Sequence, residues 1–387
     1  MSAPLSGVRV LDLSRLLPGP MCTAYLAELG ADVIKIEDPR NGDYARTLGA
    51  RPGGYSSVFR AINRAKRSVA LDLKDPQGRG ALTALVRSAD VLLEGFRPGV
   101  AHALGVDHAA MAAVRPQLVY CSLSGYGQDG PRAAAAGHDI NYLGYAGVLD
   151  GTGTRDGAPA LSSIQIADLL GGAASAAIAI LASLVGARAS GDGRFIDVAM
   201  ADATLAHAVF GVEALERTGA PAARGEDLLT GGAPCYGVYA TGDGRFLAVG
   251  ALEQKFWAAL CAALGRDDLA PRQFDATARA VLEAIFATAS RDAWVQRLAG
   301  VDCCVTPVLD LREALGDAQF ASRGMVHRRG DGSIELAPPW RVSGNGFVPD
   351  RAAPAQGQHT RALLREAGYD DATIDALVAR GVARVVD

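Results

Sequence analysis

Val8-Arg9-Val10-Leu11-Asp12-Leu13 and Asp32-Val33-Ile34-Lys35-Ile36-Glu37 bracket residues 21–29, whose helical pattern is closed by Gly30. Short apolar runs of this kind read as strands buried on both faces, and a helix between two of them is the repeating unit of a parallel sheet. The pattern recurs. A helical stretch over 77–88 leads to Asp90-Val91-Leu92-Leu93-Glu94-Gly95-Phe96, and another over 108–115 leads to Gln117-Leu118-Val119-Tyr120-Cys121-Ser122. The expected fold class is therefore α/β: a large domain with a Rossmann-like, mostly parallel sheet and helices on both faces. Ligands of such sheets bind beyond the carboxyl ends of the strands.

Past that sheet the composition changes. A Gly/Asp-rich turn over 150–157 precedes an alanine-rich apolar stretch over 164–185, which carries Gln165 and Asp168 and reads as a packed helix rather than a membrane span. A strand over 195–199 and a helix over 201–218 lead into a loop over 219–232. Two more strands, Tyr236-Gly237-Val238-Tyr239-Ala240 and Phe246-Leu247-Ala248-Val249-Gly250, flank a Gly242-Asp243-Gly244 turn. With 387 residues and a usual domain size of roughly 100 to 200, two domains are expected. The large one spans 1–222 and is completed by 320–387; a smaller α+β domain spans 223–319.

The net charge of -4 and a pI near 5.9 argue against nucleic acid as the main partner, while leaving room for a polyanionic small molecule on a local basic patch. The six cysteines form no CxxC pair and no Cys/His cluster with zinc spacing, so no metal site is expected. No basic and apolar leader precedes the first strand. A reduced, cytoplasmic setting without a membrane partner is the expectation.

Gly125-Tyr126-Gly127-Gln128-Asp129-Gly130 fits GxGxxG, but no helix starts at those glycines and the first strand-to-helix turn is Leu17-Pro18-Gly19-Pro20, so a dinucleotide site is not expected. The loop that follows is more informative. Gly137-His138-Asp139-Ile140-Asn141-Tyr142 places an imidazole and a carboxylate side by side behind a glycine, which suits acid/base chemistry. Asp168 on its own is equally well a charge favoured by a helix start, and Glu253, before Phe256-Trp257, reads the same way. Together with His138 they form a His/Asp/Glu set that folding would have to assemble. The remaining histidines, His102, His108, His207, His327 and His359, are expected to be ordinary surface or core residues.

Several blocks resemble the signature of the class III CoA-transferase family: residues 4–13, Leu29-Gly30-Ala31-Asp32-Val33-Ile34-Lys35-Ile36-Glu37, Asn63-Arg64-Ala65-Lys66-Arg67-Ser68, Glu94-Gly95-Phe96-Arg97-Pro98-Gly99 and Cys304-Val305-Thr306-Pro307-Val308. Within that family the loop at 137–142, Gly231-Gly232-Ala233-Pro234-Cys235-Tyr236 and the Glu253 block are similar to the α-methylacyl-CoA racemase branch. Residues 44–59, an insertion-like stretch, resemble the transferases more, and Asp38 stands where racemases tend to carry a basic residue, a role Arg40 would take over. The resemblance implies a CoA site around Arg40, Leu71, Asp72, Leu73, Lys74, Glu94, Gly95, Phe96, Arg97, Gly137 and Tyr142. Lys66 and Arg67 are further candidates for its phosphates. It also implies an interlocked homodimer in which Glu253 acts on His138 in trans.

The activity implied is epimerisation of 2-methylacyl-CoA thioesters. A thioester acidifies its α-carbon because the carbanion is delocalised as an enolate, so His138 would serve one enantiomer and Asp168 the other. Glu253 would orient His138, and backbone N–H groups near Asp139 or at Gly171-Gly172 would hold the enolate oxygen. No cofactor is required beyond the CoA moiety carried by the substrate. The alternative within the family is CoA transfer between carboxylic acids, with Asp139 as nucleophile through an aspartyl anhydride. A third reading is an acyl-CoA-binding protein without catalysis; CoA binding without α-proton exchange or acyl transfer would select it.

Overall fold

The computed structural model describes residues 2–49 and 56–386, so six residues of the 44–59 stretch lie outside the described residues. The chain divides into two compact units. One comprises Met1–Ala146, Ser163–His207 and Arg323–Asp387, and the other Gly147–Ser162 and Ala208–Ser322. Residues 147–162 and 208–222, expected in the large domain, thus pack with the small one. Arg224 explains part of this, because its guanidinium donates to the carbonyls of Asp150 and Gly157 and draws the earlier segment onto the later one. The expected helix over 201–218 is likewise two helices, Met200–Ala206 and Val209–Thr218, and it breaks where the chain changes unit.

In the first unit the strands are β1 (Arg9–Leu13), β2 (Asp32–Glu37), β3 (Arg67–Leu71), β4 (Val91–Glu94), β5 (Val119–Ser124) and β6 (Arg194–Ala199). Their spatial order is β3-β2-β1-β4-β5-β6, all parallel. The short C-terminal strand Ala383–Arg384 adds antiparallel to β3, so the tail returns to the large sheet. Every residue of β4 and β5 is buried, as a sheet covered on both faces requires. Leu11, Ile34, Val69 and Leu92 in the strands meet Leu82 and Leu85 of helix Pro76–Val86, and Leu363, Leu364, Ile374 and Leu377 of the last two helices. Each such side chain contributes roughly 1.5–3 kcal/mol by leaving water.

Helix starts follow sequence chemistry. Asp75 caps Pro76–Val86 by accepting from the Gln77 N–H, and Asp107 caps His108–Val114 by accepting from the Ala110 N–H. Pro18 opens Pro18–Glu28 at a position where its missing N–H costs nothing. The apolar helix Ala167–Ser190 is 24 residues long with mean hydropathy 2.0, long and apolar enough to cross a membrane by composition alone. Ile178 and Val185 on it are 68% and 72% exposed within this chain.

In the second unit, strands β7 (Tyr236–Ala240), β8 (Phe246–Gly250) and β9 (Val305–Pro307) form an antiparallel sheet in that order. One face packs on Trp257, Leu260, Leu282, Phe286 and Trp294 of its helices. The indoles of Trp257 and Trp294 donate to the carbonyls of Leu269 and Phe286, so these large side chains are buried without an orphaned donor.

Candidate active site

The strand order reverses between β1 and β4, and a crevice at the carboxyl edge is expected at such a switch point. A cavity of about 250 Å³ lies there. It is lined by Leu13 and Arg15 at and after the end of β1, by Glu37, Asp38 and residues 41–43 at and after the end of β2, by Leu71–Lys74 at and after the end of β3, and by Phe96 after β4. Of the residues singled out for CoA, Leu71, Asp72, Leu73, Lys74 and Phe96 line this cavity, whereas Arg40, Glu94, Gly95 and Arg97 do not.

Glu94 is buried, with one carboxylate oxygen accepting from the Phe96 N–H at 2.7 Å and the other from the Ser122 hydroxyl at 2.5 Å. It shapes the turn after β4 and presents no free oxygen. Burial raises its pKa, with the Asp197 charge adding to the rise, against the hydrogen bonds. Arg40 is 76% exposed and reaches only to 3.5 Å from Asp72. Asp38 uses one oxygen to accept from the N–H groups of Arg40 and Asn41.

Two phosphate candidates are corrected. The Lys66 ammonium is buried and donates to Asp12, Thr23, Asn63 and the Pro20 carbonyl, so it is a structural charge under the sheet edge. Burial pulls its pKa down to about 8 despite Asp12. Burial pushes the Asp12 carboxyl up, but Lys66, Lys35 and the Ser14 and Thr23 hydroxyls together outweigh it and hold the group well below its usual range. Arg67 is paired with Asp32 and Glu366.

A second group of candidate residues is the loop 137–142. His138 is the residue before the helix Asp139–Tyr145, its N–H donating to the Asn141 side chain at 3.0 Å. Tyr142 sits behind the loop with its hydroxyl donating to the Gly137 carbonyl at 2.6 Å. A Cβ at Gly125 or Gly137 would lie 2.4 or 2.7 Å from the Tyr142 ring, so both glycines are needed for the ring to sit there. Burial raises the Tyr142 pKa to about 12, with Asp168 and Asp139 adding to the rise and Arg97 opposing it, so the Arg97 charge acts on the loop at 137–142.

Asp168 lies in the first turn of a π-helical segment, Ala167–Ala174. Its backbone N–H donates to Asp139 Oδ1 at 3.0 Å, which ties the two segments together across 29 positions of sequence. The wide π turn packs closely on its neighbours because a Cβ at Gly171 would meet the Met200 carbonyl at 2.9 Å and one at Gly172 would meet Pro18 at 2.9 Å. Those glycines are buried packing residues, not an open helix start for an oxyanion. In contrast, the N–H groups of Asp139 and Ile140 in the first turn after His138 have no acceptor among the described residues. The Asp168 pKa is pushed up to about 6, by burial first and by the Asp139 charge second, with His138 pulling it down. His138, Asp139 and Asp168 therefore share one electrostatic site.

Glu253 belongs to the second unit, where it precedes helix Gln254–Ala263 and is exposed. Its charge raises the pKa of Cys304 there, after burial and Asp302. Gly231, Gly232 and Tyr236 line a separate cleft of about 870 Å³ in that unit, with Arg155, Arg279 and Cys304. Arg279 donates to the Gly231 and Ala233 carbonyls and so fixes the Gly231–Ala233 loop. One cluster in the first unit has metal-like composition, His327, Glu335 and Asp350. Arg64 and Arg329 already pair with Glu335, and Arg329 with Asp350, so positive charge occupies the place of a cation. Sequence reading missed Arg15, Asn41 and Asp43; the signal available was their place just after β1 and β2 of an alternating pattern.

The CoA-transferase family III model matches residues 5–360. The chain is 35% identical over 373 residues to the α-methylacyl-CoA racemase of Homo sapiens, covering 94% of each. It is also 34% identical to the acetyl-CoA:oxalate CoA-transferase of Acetobacter aceti, covering 94% of this chain and 95% of that one. The crystal structure of a CaiB/BaiF family protein from Brucella suis superposes with a TM-score of 0.82 at 29% identity, over 95% of this chain and all of that one. A match through both units, over residues 5–360, means that this chain belongs to the CoA-transferase family III.

Proposed function

We propose that the protein is an α-methylacyl-CoA racemase acting on 2-methylacyl-CoA thioesters by proton transfer through an enolate. The observation that carries this reading is the hydrogen bond from the Asp168 N–H to Asp139 Oδ1, which sets Asp168 beside the loop that carries His138. The His138 imidazole is exposed, and the Asp168 carboxyl is pushed up to about 6, so the carboxyl can give and take a proton near neutral pH beside a second group of the acid/base type. His138 removes the α-proton of one enantiomer and Asp168 that of the other. The free N–H groups of Asp139 and Ile140 are the donors for the enolate oxygen. Arg15, Lys74 and Arg97, which have no carboxylate partner among the described residues, hold the CoA phosphates, and the substrate's own CoA moiety is the only cofactor. Glu253 of a second copy orients His138 in an interlocked homodimer, and that copy covers the exposed apolar side of helix Ala167–Ser190. The six free cysteines suit a reduced, cytoplasmic setting.

CoA transfer is the second reading, favoured by one feature: the other oxygen of Asp139 has no partner among the described residues and is free to act as a nucleophile. The deciding experiment incubates the purified protein with (2R)- or (2S)-2-methylacyl-CoA in heavy water without an acceptor acid. Loss of chirality with deuterium at the α-carbon is expected. A chirally stable, unlabelled thioester that exchanges CoA with an added carboxylate would select the transferase.

A further inference from the structure

The carboxyl-edge cavity is built differently from a glycine-rich nucleotide site. In parallel sheets of this strand order the diphosphate lies over the turn after β1, and an acid at the end of β2 takes a ribose hydroxyl. Here two amides of the first turn are already used, the Ser14 N–H by Asp12 and the Leu16 N–H by Asp43 at 3.2 Å, and Pro18 has none to give. Side chains must replace them, and Arg15 and Lys74 line the cavity without carboxylate partners among the described residues.

The carboxylates of the lining are unequal. Glu37 is held by Arg46, Asp43 by Lys35, and Asp72 by the Lys74 N–H with Arg40 beyond it. Asp38, at the end of β2, spends one oxygen on two backbone N–H groups, and its other oxygen has no partner among the described residues. It is thus an acceptor held in place by two backbone N–H groups, with one oxygen open, at the position where sheets of this strand order place a ribose.

We propose that Asp38 determines which nucleotide end the protein accepts: its free oxygen takes a ribose hydroxyl, and its charge disfavours a phosphate on the neighbouring ribose carbon. This rests on the acyl-CoA reading and adds to it that 3′-dephospho-CoA binds at least as well as CoA. A like charge held a few ångströms from a phosphate at a half-exposed site weakens binding by about tenfold.

The test measures the dissociation constants of CoA and of 3′-dephospho-CoA by calorimetry for the wild type, Asp38→Asn and Asp38→Arg. Asparagine keeps the oxygen that accepts from Arg40 and Asn41, and thermal melts check that the loop and fold persist. The wild type is expected to bind dephospho-CoA as tightly as CoA or more so, with Asp38→Asn moving the ratio about tenfold toward CoA and Asp38→Arg further. A ratio that stays within twofold across all three proteins, with both ligands bound, overturns the role of Asp38 and leaves the acyl-CoA reading standing. If neither ligand binds and 2-methylacyl-CoA shows no exchange, the acyl-CoA reading fails and this inference falls with it.

Discussion

Asp139→Asn separates the two chemistries of the family on this chain, because the structure gives the carboxylate two properties that can be removed independently. Its Oδ1 accepts from the Asp168 N–H at 3.0 Å, and an asparagine oxygen can do the same, so the tie between loop and π-helical turn is kept. Its charge is the second cause, after burial, of the rise of Asp168 to about 6. Neutralising it should lower the Asp168 pKa by about one unit. At pH 7 the ionised fraction of Asp168 then goes from roughly nine-tenths to nearly all, while its lower basicity slows proton abstraction by no more than about tenfold. The expected result is α-proton exchange retained within that factor, with the acidic limb of its pH profile displaced downward by about one unit. The assay is deuterium incorporation from heavy water between pH 5 and 8, using single enantiomers of 2-methylacyl-CoA. A variant with no exchange from either enantiomer, together with a hydroxamate trapped at position 139 in the wild type, would refute the reasoning and make Asp139 the nucleophile.

Four further outcomes are expected. His138→Ala should reduce exchange from one enantiomer by roughly 10²- to 10⁴-fold and Asp168→Ala that from the other; equal loss from both enantiomers in each variant would contradict the two-base assignment. Asp168→Asn should raise stability near neutral pH. The folded pKa of about 6 lies above the unfolded value near 3.8, so the wild type loses stability as pH rises through that window, and the variant's advantage of roughly 1–2 kcal/mol, discounted for partial exposure, should vanish below it in urea melts. Gly125→Ala puts a Cβ 2.4 Å from the Tyr142 ring and should cost about 1–3 kcal/mol and most of the exchange activity; a near-wild-type melt and rate would mean the ring does not hold the loop. Lys66→Met should destabilise by roughly 3–5 kcal/mol in chemical denaturation, since Asp12 is left buried with its direct ion pair gone, whereas a phosphate ligand would weaken CoA binding with little change in stability.

The parallel sheet was legible because its signal is local and repeated: Leu11, Ile34 and Leu92 each sit in a run that is buried on both faces. The order of the strands was not, since it depends on which helix crosses which face. The unit boundary was misplaced for a similar reason. Residues 147–162 look like a linker in the large domain until Arg224 is seen to bind Asp150 and Gly157 from 74 and 67 positions away, and no periodicity encodes that contact. The π turn at Asp168 also escaped sequence reading, because one extra residue in a turn leaves the alanine-rich pattern almost unchanged.

Charge is where sequence and structure diverge most instructively. Lys66 and Arg67 have the right residue types near a strand edge, yet burial decides their roles: an ammonium with four oxygen partners under the sheet is structural, and a guanidinium shared by two carboxylates is spent. Among the described residues, Arg15 and Lys74 are the cations that remain open to the cavity, and only the three-dimensional pairing distinguishes them from the rest. The same logic acts on the loop at 137–142. Asp139 and His138 are adjacent in sequence, but the fold gives them opposite settings, one carboxylate oxygen bound to the Asp168 N–H and the imidazole left exposed. On the proposed racemase reading, that division lets a single loop position one base and raise the proton affinity of another, which is the arrangement two-sided proton transfer at one carbon requires.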